Sequence, residues 1–142
     1  MRTDTNRALV LGFTAGLRSA TPLAILAWVG PAKLRRLRSP WSKALTTTGA
    51  VAELVADKLP STPDRTSPAL VAGRLAMGAT AGYLVTRRFA GICLGAIGAL
   101  AGTFAGFHVR RFLTRERRLP GLPIALAEDA IALGLTTVAA RG

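Results

Sequence analysis

The chain has 142 residues, half of them apolar, with 15 glycines, seven acidic residues and a formal net charge of +12. One domain's length of sequence this apolar and this rich in glycine excludes an ordinary soluble helical domain. The charge does not indicate nucleic acid as a partner. It is gathered into short runs between apolar stretches, at Lys33 to Arg38 and Arg110 to Arg118, where juxtamembrane anchors meet anionic lipid headgroups.

A helix needs roughly 20 mostly apolar residues to cross a bilayer core. The first such segment is 8–30. Arg2 and Arg7 before it resemble the start of a secretory signal, but Arg18 interrupts the apolar run and no small-residue cleavage site follows, so it reads as a retained first helix. Inside it, Arg18-Ser19-Ala20-Thr21-Pro22 is a place for the helix to break, because proline lacks a backbone donor and disfavours helix at the residue before it.

Pro31 and Pro40 bound a basic loop. The second segment, from Ser42 to Leu59, is shorter and more polar; it either spans or lies at the interface, and the reading favoured is that it spans. Glu53 and Asp57, four apart, share one face of it. After Pro60, Pro63 and Pro68 come three further spans, at Pro68–Thr86, 89–109 and 120–140. The third carries Arg74, the fourth ends near His108 and Arg110, and the fifth carries Glu128 and Asp129. Trp28, Trp41 and Tyr83 fit interfacial aromatic belts. The expected fold is therefore an all-α membrane protein, one transmembrane helical domain over 1–142 with about five transmembrane helices, or four if 42–59 is interfacial.

Glycines recur every four residues, at Gly12 and Gly16, Gly78 and Gly82, Gly91 and Gly95, and Gly98, Gly102 and Gly106. In a membrane this spacing makes a flat stripe on which backbones pack closely. Five spans put Arg2, Arg7, Lys58, Arg65, Arg110, Arg111, Arg115, Arg117 and Arg118 on one side. Lys33, Arg35, Arg36, Arg38, Lys43, Arg87, Arg88 and Arg141 fall on the other, so positive charge is balanced. Balanced charge fits an inverted repeat. Gly12-Phe-Thr-Ala-Gly16-Leu-Arg18 resembles Gly102-Thr-Phe-Ala-Gly106-Phe-His108, and each precedes a basic loop and an acid-bearing helix. With one helix between the two units, the first and fourth helices are expected to run in opposite directions. Dual insertion into an antiparallel dimer predicts the same balance.

A charge at mid-membrane costs about 2.5 to 3.5 kcal/mol, so Arg18 and Arg74 are expected to turn inward to acidic partners. The candidate set is Arg18, Glu53, Asp57, Arg74, Glu128 and Asp129, as a substrate pathway or as buried ion pairs. Ser19, Thr21, His108 and Arg110 stand around it. Glu128 and Asp129 diverge by about 100° on a helix, so one can face a central site while the other meets a neighbour. No zinc-binding histidine pair, nucleophile elbow or phosphate-cradling loop is present, and neither metal nor cofactor is expected. Cys93, alone, makes no intrachain disulfide.

Gly16-Leu-Arg18-Ser19-x-x-Pro22, the segment Ala52-Glu53-Leu-Val-Ala-Asp57-Lys58-Leu-Pro60-x-x-Pro63-x-Arg65, and Leu126-Ala-Glu128-Asp129 together resemble a family of small bacterial integral membrane proteins of unknown function. The likeness extends over nearly the whole chain, with the Glu-x-x-x-Asp-Lys-x-Pro segment its most specific part. His108 and Arg110 stand where that family tends to have an aromatic residue and a second arginine. The resemblance implies a membrane protein and no activity.

Three functions follow in order of expectation. The first is a channel or transporter for a small ion or solute in the cell inner membrane. The second is a non-catalytic subunit or assembly factor of a membrane complex, homo-oligomeric or with a partner membrane subunit. The third is a lipid-phosphate enzyme with a metal among the carboxylates.

Overall fold

The computed structural model describes residues 2–56, 67–118 and 120–141, and of Arg2 and Thr3 the backbone alone. The described residues form helices joined by short turns, with no strand among them. In order these are α1 (Arg2–Leu17), α2 (Thr21–Val29), a 3₁₀ turn (Ala32–Leu34), α3 (Pro40–Ala56), α4 (Pro68–Thr86), α5 (Phe89–Arg111), a π turn (Phe112–Glu116) and α6 (Gly121–Arg141). Three are long and apolar enough to cross a membrane: α4, α5 with its π turn, and α6.

The segment expected as a single first span is instead two helices. At 1.5 Å per residue the 16 residues of α1 and the 9 of α2 extend about 24 and 14 Å, each short of a bilayer core. Pro22 suits the first turn of a new helix, where its missing N–H is no loss, and not the interior of a continuing one. After the break α2 doubles back. Lys33, just beyond it, donates to the Val85 carbonyl at the end of α4 at 2.8 Å, and Leu34 is buried in a cluster with Leu11, Leu26, Val85 and Ala139. α1 and α2 are thus a helical hairpin whose tip is Arg18 to Ala20.

Glycine sets the directions of the other helices. A Cβ on Gly12 would run into the backbone of Gly95, and one on Gly16 into Ala99 and Thr103, so α1 and α5 lie parallel with their backbones in contact. Gly78 meets Gly95 and Ala99 while Gly82 meets Gly91, so α4 lies antiparallel on the other side of α5. In a membrane such contact supplies dispersion where the hydrophobic effect supplies little. α6 runs antiparallel to α1: Arg7 reaches the carbonyls of Ala139 and Ala140, and Arg18 reaches Asp129. α3 runs antiparallel to α2, with Trp28 Nε1 donating to Thr47 Oγ1 at 3.0 Å near one end and Glu53 at the hairpin tip near the other. The starts of α1, α3 and α5 and the ends of α2, α4 and α6 therefore share one face of the bundle, called here the N-terminal face.

This geometry corrects the expected inverted repeat. The two similar glycine motifs lie side by side and parallel, Gly16 against Gly102, which is not the opposed arrangement an inverted pair requires. The hairpin is the cause: by returning the chain to its starting face, it gives α1 and α5 the same direction.

The hydroxyls of Thr80, Thr86, Thr103, Thr136 and Thr137 each donate to the carbonyl four residues earlier at 2.6–2.9 Å, so none needs water. α3 is the outlier. None of its residues is buried, and it packs chiefly on α2, with Lys43 Nζ 4.8 Å from the centre of the Trp28 ring.

Candidate functional site

The hairpin tip exposes backbone groups that neither helix satisfies. Arg18 N–H still closes the last turn of α1 on the Thr14 carbonyl at 2.8 Å, and the first bond of α2 runs from Ala24 N–H to the Ala20 carbonyl at 3.0 Å. Between them, the N–H groups of Ser19 and Ala20 have no carbonyl to meet. The N-cap residue is Ala20, which has no side-chain acceptor of its own. Glu53 supplies the acceptors from α3. Its Oε1 takes the Ser19 N–H at 2.8 Å and the Ser19 hydroxyl at 3.0 Å, and its Oε2 takes the Ala20 N–H at 2.9 Å. A carboxylate here both caps the helix and meets the positive end of its dipole. Thr21, the first residue of α2, is buried.

Arg18 itself is 1% exposed. Its Nε donates to Asp129 Oδ1 at 2.6 Å, and its Nη2 pairs with the same oxygen. Arg74, 4% exposed, lies one turn of α4 before Gly78. Since Gly78 packs on Gly95 and Ala99, Arg74 stands at the height of Thr103 and Gly16, next to the hairpin tip in depth. Arg18, Arg74, Glu53 and Asp129 thus occupy one layer of the bundle. Asp57 lies outside the described residues.

Glu128, the residue before Asp129 and so at nearly the same depth, points in another direction. Its Oε2 is 4.0 Å from Arg110 Nη1, and it faces Gly106, where a Cβ would come within 3.0 Å of its Oε1. Both line an apolar groove of about 610 Å³ between α1, α5 and α6, walled by Phe13, Leu17, Val109, Leu113, Ile124 and Ile131. The groove exists because α6 leans on α1 and α2 and barely touches α5. His108 belongs to neither place; it is exposed, with its ring edge-to-face on Phe107.

Two cations have structural roles that the sequence did not disclose. Arg7 caps the end of α6, donating to the Ala139 and Ala140 carbonyls at 2.8 and 3.2 Å, and Lys33 caps the end of α4 through Val85. Each puts positive charge on a negative helix end. Their partners are more than 50 positions away, and no local pattern marks them.

Chemically, the layer offers two guanidinium groups, two carboxylates and the positive end of a half-helix. Each carboxylate is engaged there, Glu53 by the N–H groups and hydroxyl of the hairpin tip and Asp129 by Arg18. Among the described residues no three His, Cys, Asp or Glu side chains gather to hold a metal ion. Compared with known proteins, the chain matches no family model, no curated protein and no solved structure.

Proposed function

We propose that the chain is a multi-pass protein of the cell inner membrane that passes a small ion or solute by way of the polar layer at the tip of the α1–α2 hairpin. The observation that carries this reading is the helix break itself, a half-helix N-terminus opening beside Arg18 and closed by the Glu53 carboxylate from another helix. Broken backbone at membrane depth is tolerated where it is buried in protein or lines water, and discontinuous helices of this kind make the ion and substrate sites of transporters.

The directions of the helices support a reading of four crossings. The end of α2 lies at the N-terminal face and the start of α4 at the opposite one, and α3, running antiparallel to α2 between those faces, is read as a crossing. Four crossings and one re-entrant hairpin result. Among the described side chains they gather Arg7, the Lys33 to Arg38 run, Lys43, Arg87, Arg88 and Arg141 at the N-terminal face, against Arg110 to Arg118 at the other. The excess orients the N-terminal face to the cytoplasm. Trp28, Trp41 and Tyr83 belong to the same half of the bundle, as an aromatic belt requires.

The test uses purified protein in liposomes, with Ser19→Cys in a Cys93→Ala background. A water-soluble thiol reagent should modify Cys at position 19, and a panel of ions should include one whose flux Glu53→Gln and Arg18→Lys alter. Absence of flux for every ion tested, with position 19 inert in correctly assembled protein, removes this reading.

A second reading has one observation of its own. The outer face of α3, with Trp41 86% and Leu45 76% exposed, favours a homo-oligomer or a partner membrane subunit packed there. Copy-to-copy crosslinking through Leu45→Cys would support the first form of it. The metal-dependent lipid-phosphate reading is the least supported, since Glu53 is engaged by backbone, Asp129 by Arg18, and Glu128 faces Arg110.

A further inference from the structure

At the N-terminal face, a concavity of about 450 Å³ lies between the 3₁₀ turn after α2 and the end of α4. Lys33, Arg35, Arg36 and Arg87 line it, over a floor of Leu34 and Leu84. No carboxylate is part of it, and none among the described residues pairs with any of the four cations. Elsewhere the bundle matches buried or half-buried arginine with acid, at Arg18 with Asp129 and at Arg110 with Glu128. Here four exposed cations line one concavity with no acid among the described residues to pair with them, so a phosphate entering it meets their charge unopposed.

Two of the four are fixed by backbone. Lys33 is held by the Val85 carbonyl, and Arg87 is the C-cap of α4 with φ 55° and ψ 28°, its N–H on the Tyr83 carbonyl at 2.6 Å. A left-handed C-cap is ordinarily glycine, and an arginine in its place accepts a backbone cost while adding charge at this spot. The volume is about that of fifteen waters, ample for a phosphate group and its ester oxygens. Its position at a bundle end, with leucine below the cations, is that of a lipid headgroup above its chains.

We propose that this concavity binds the phosphate of an anionic phospholipid. The site stands apart from the polar layer, and binding to it is read without any measurement of flux. Full-length protein in neutral detergent is titrated with phosphatidylglycerol, with phosphatidylcholine and with inorganic phosphate, and bound lipid is counted by native mass spectrometry alongside thermal stabilisation. Phosphatidylglycerol should bind and stabilise where phosphatidylcholine does not. The triple variant Arg35→Gln, Arg36→Gln, Arg87→Gly should weaken it about a hundredfold, at roughly one surface arginine's attraction each. Glycine at 87 keeps the left-handed cap, so the variant folds. Equal stabilisation by inorganic phosphate alone would sustain the anion site and assign it to a soluble phosphate. The proposal is overturned if none of the three ligands binds, if phosphatidylcholine binds as well as phosphatidylglycerol, or if Arg115→Gln with Arg117→Gln at the opposite face causes the same loss.

Discussion

Arg18 Nε lies 2.6 Å from Asp129 Oδ1, joining the end of the first helix to the middle of the last across 111 positions of sequence. Both side chains are nearly closed to solvent, at 2% and 12% exposed. Removing Asp129 therefore takes a buried acidic partner from Arg18. Arg18→Leu and Asp129→Leu should each cost about 3–5 kcal/mol, and the two combined should cost less than the sum of the single losses. Unfolding of the single and double variants in detergent, compared in a double-mutant cycle, reads the difference; a combined loss equal to the sum of the single losses would show that the pair is not coupled.

Glu53 is a cap with both carboxylate oxygens engaged. Glu53→Gln keeps one acceptor oxygen and turns the other into a donor facing the Ala20 N–H. The expected loss is about 1–3 kcal/mol, with hydrogen exchange rising at the start of α2 and not in α5. Uniform exchange across all helices would refute the local role.

Two glycines of different surroundings separate packing from propensity. A Cβ at Gly102 would fall on the Phe13 carbonyl, whereas nothing lies within 4 Å of one at Gly73. Gly102→Ala should destabilise by about 1–3 kcal/mol by forcing α1 away from α5. Gly73→Ala should be neutral or stabilise by about 0.5–1 kcal/mol, as it does in an unobstructed helix. Thermal stability of the pair in one detergent checks both signs.

The hairpin sets the sidedness of the chain. In a Cys93→Ala background, Thr5→Cys and Arg141→Cys should be labelled from the same side of a sealed vesicle by an impermeant thiol reagent, and Arg115→Cys from the other. Five straight crossings would put positions 5 and 141 on opposite sides.

Helix content was legible because long apolar runs bounded by Pro31, Pro40, Pro68 and Pro120 leave little else to form. So was a weakness at Arg18 to Pro22, since proline's missing donor is a local fact. The return of α2 was not legible. Whether a broken helix continues or reverses depends on what receives it, and the receivers, Val85 for Lys33 and the Leu11 cluster for Leu34, are distant in sequence. That single reversal carried the topology, the charge balance and the direction of the glycine motifs with it. Within the site, the four-residue spacing put Glu53 on a polar face, but its partner is backbone at Ser19 and Ala20, which no pattern of side chains announces.

The distance in sequence between Arg18 and Asp129 also has a meaning in time. Translation proceeds at about 5–20 residues per second, so Arg18 is made roughly 6 to 22 s before its acid. Glu53, 34 positions after Ser19, emerges far sooner and can close the hairpin tip first. The newborn chain must therefore hold Arg18 without Asp129 until α6 arrives, and a ribosome stalled before α6 leaves a hairpin tip capped by Glu53 before the Asp129 contact can form.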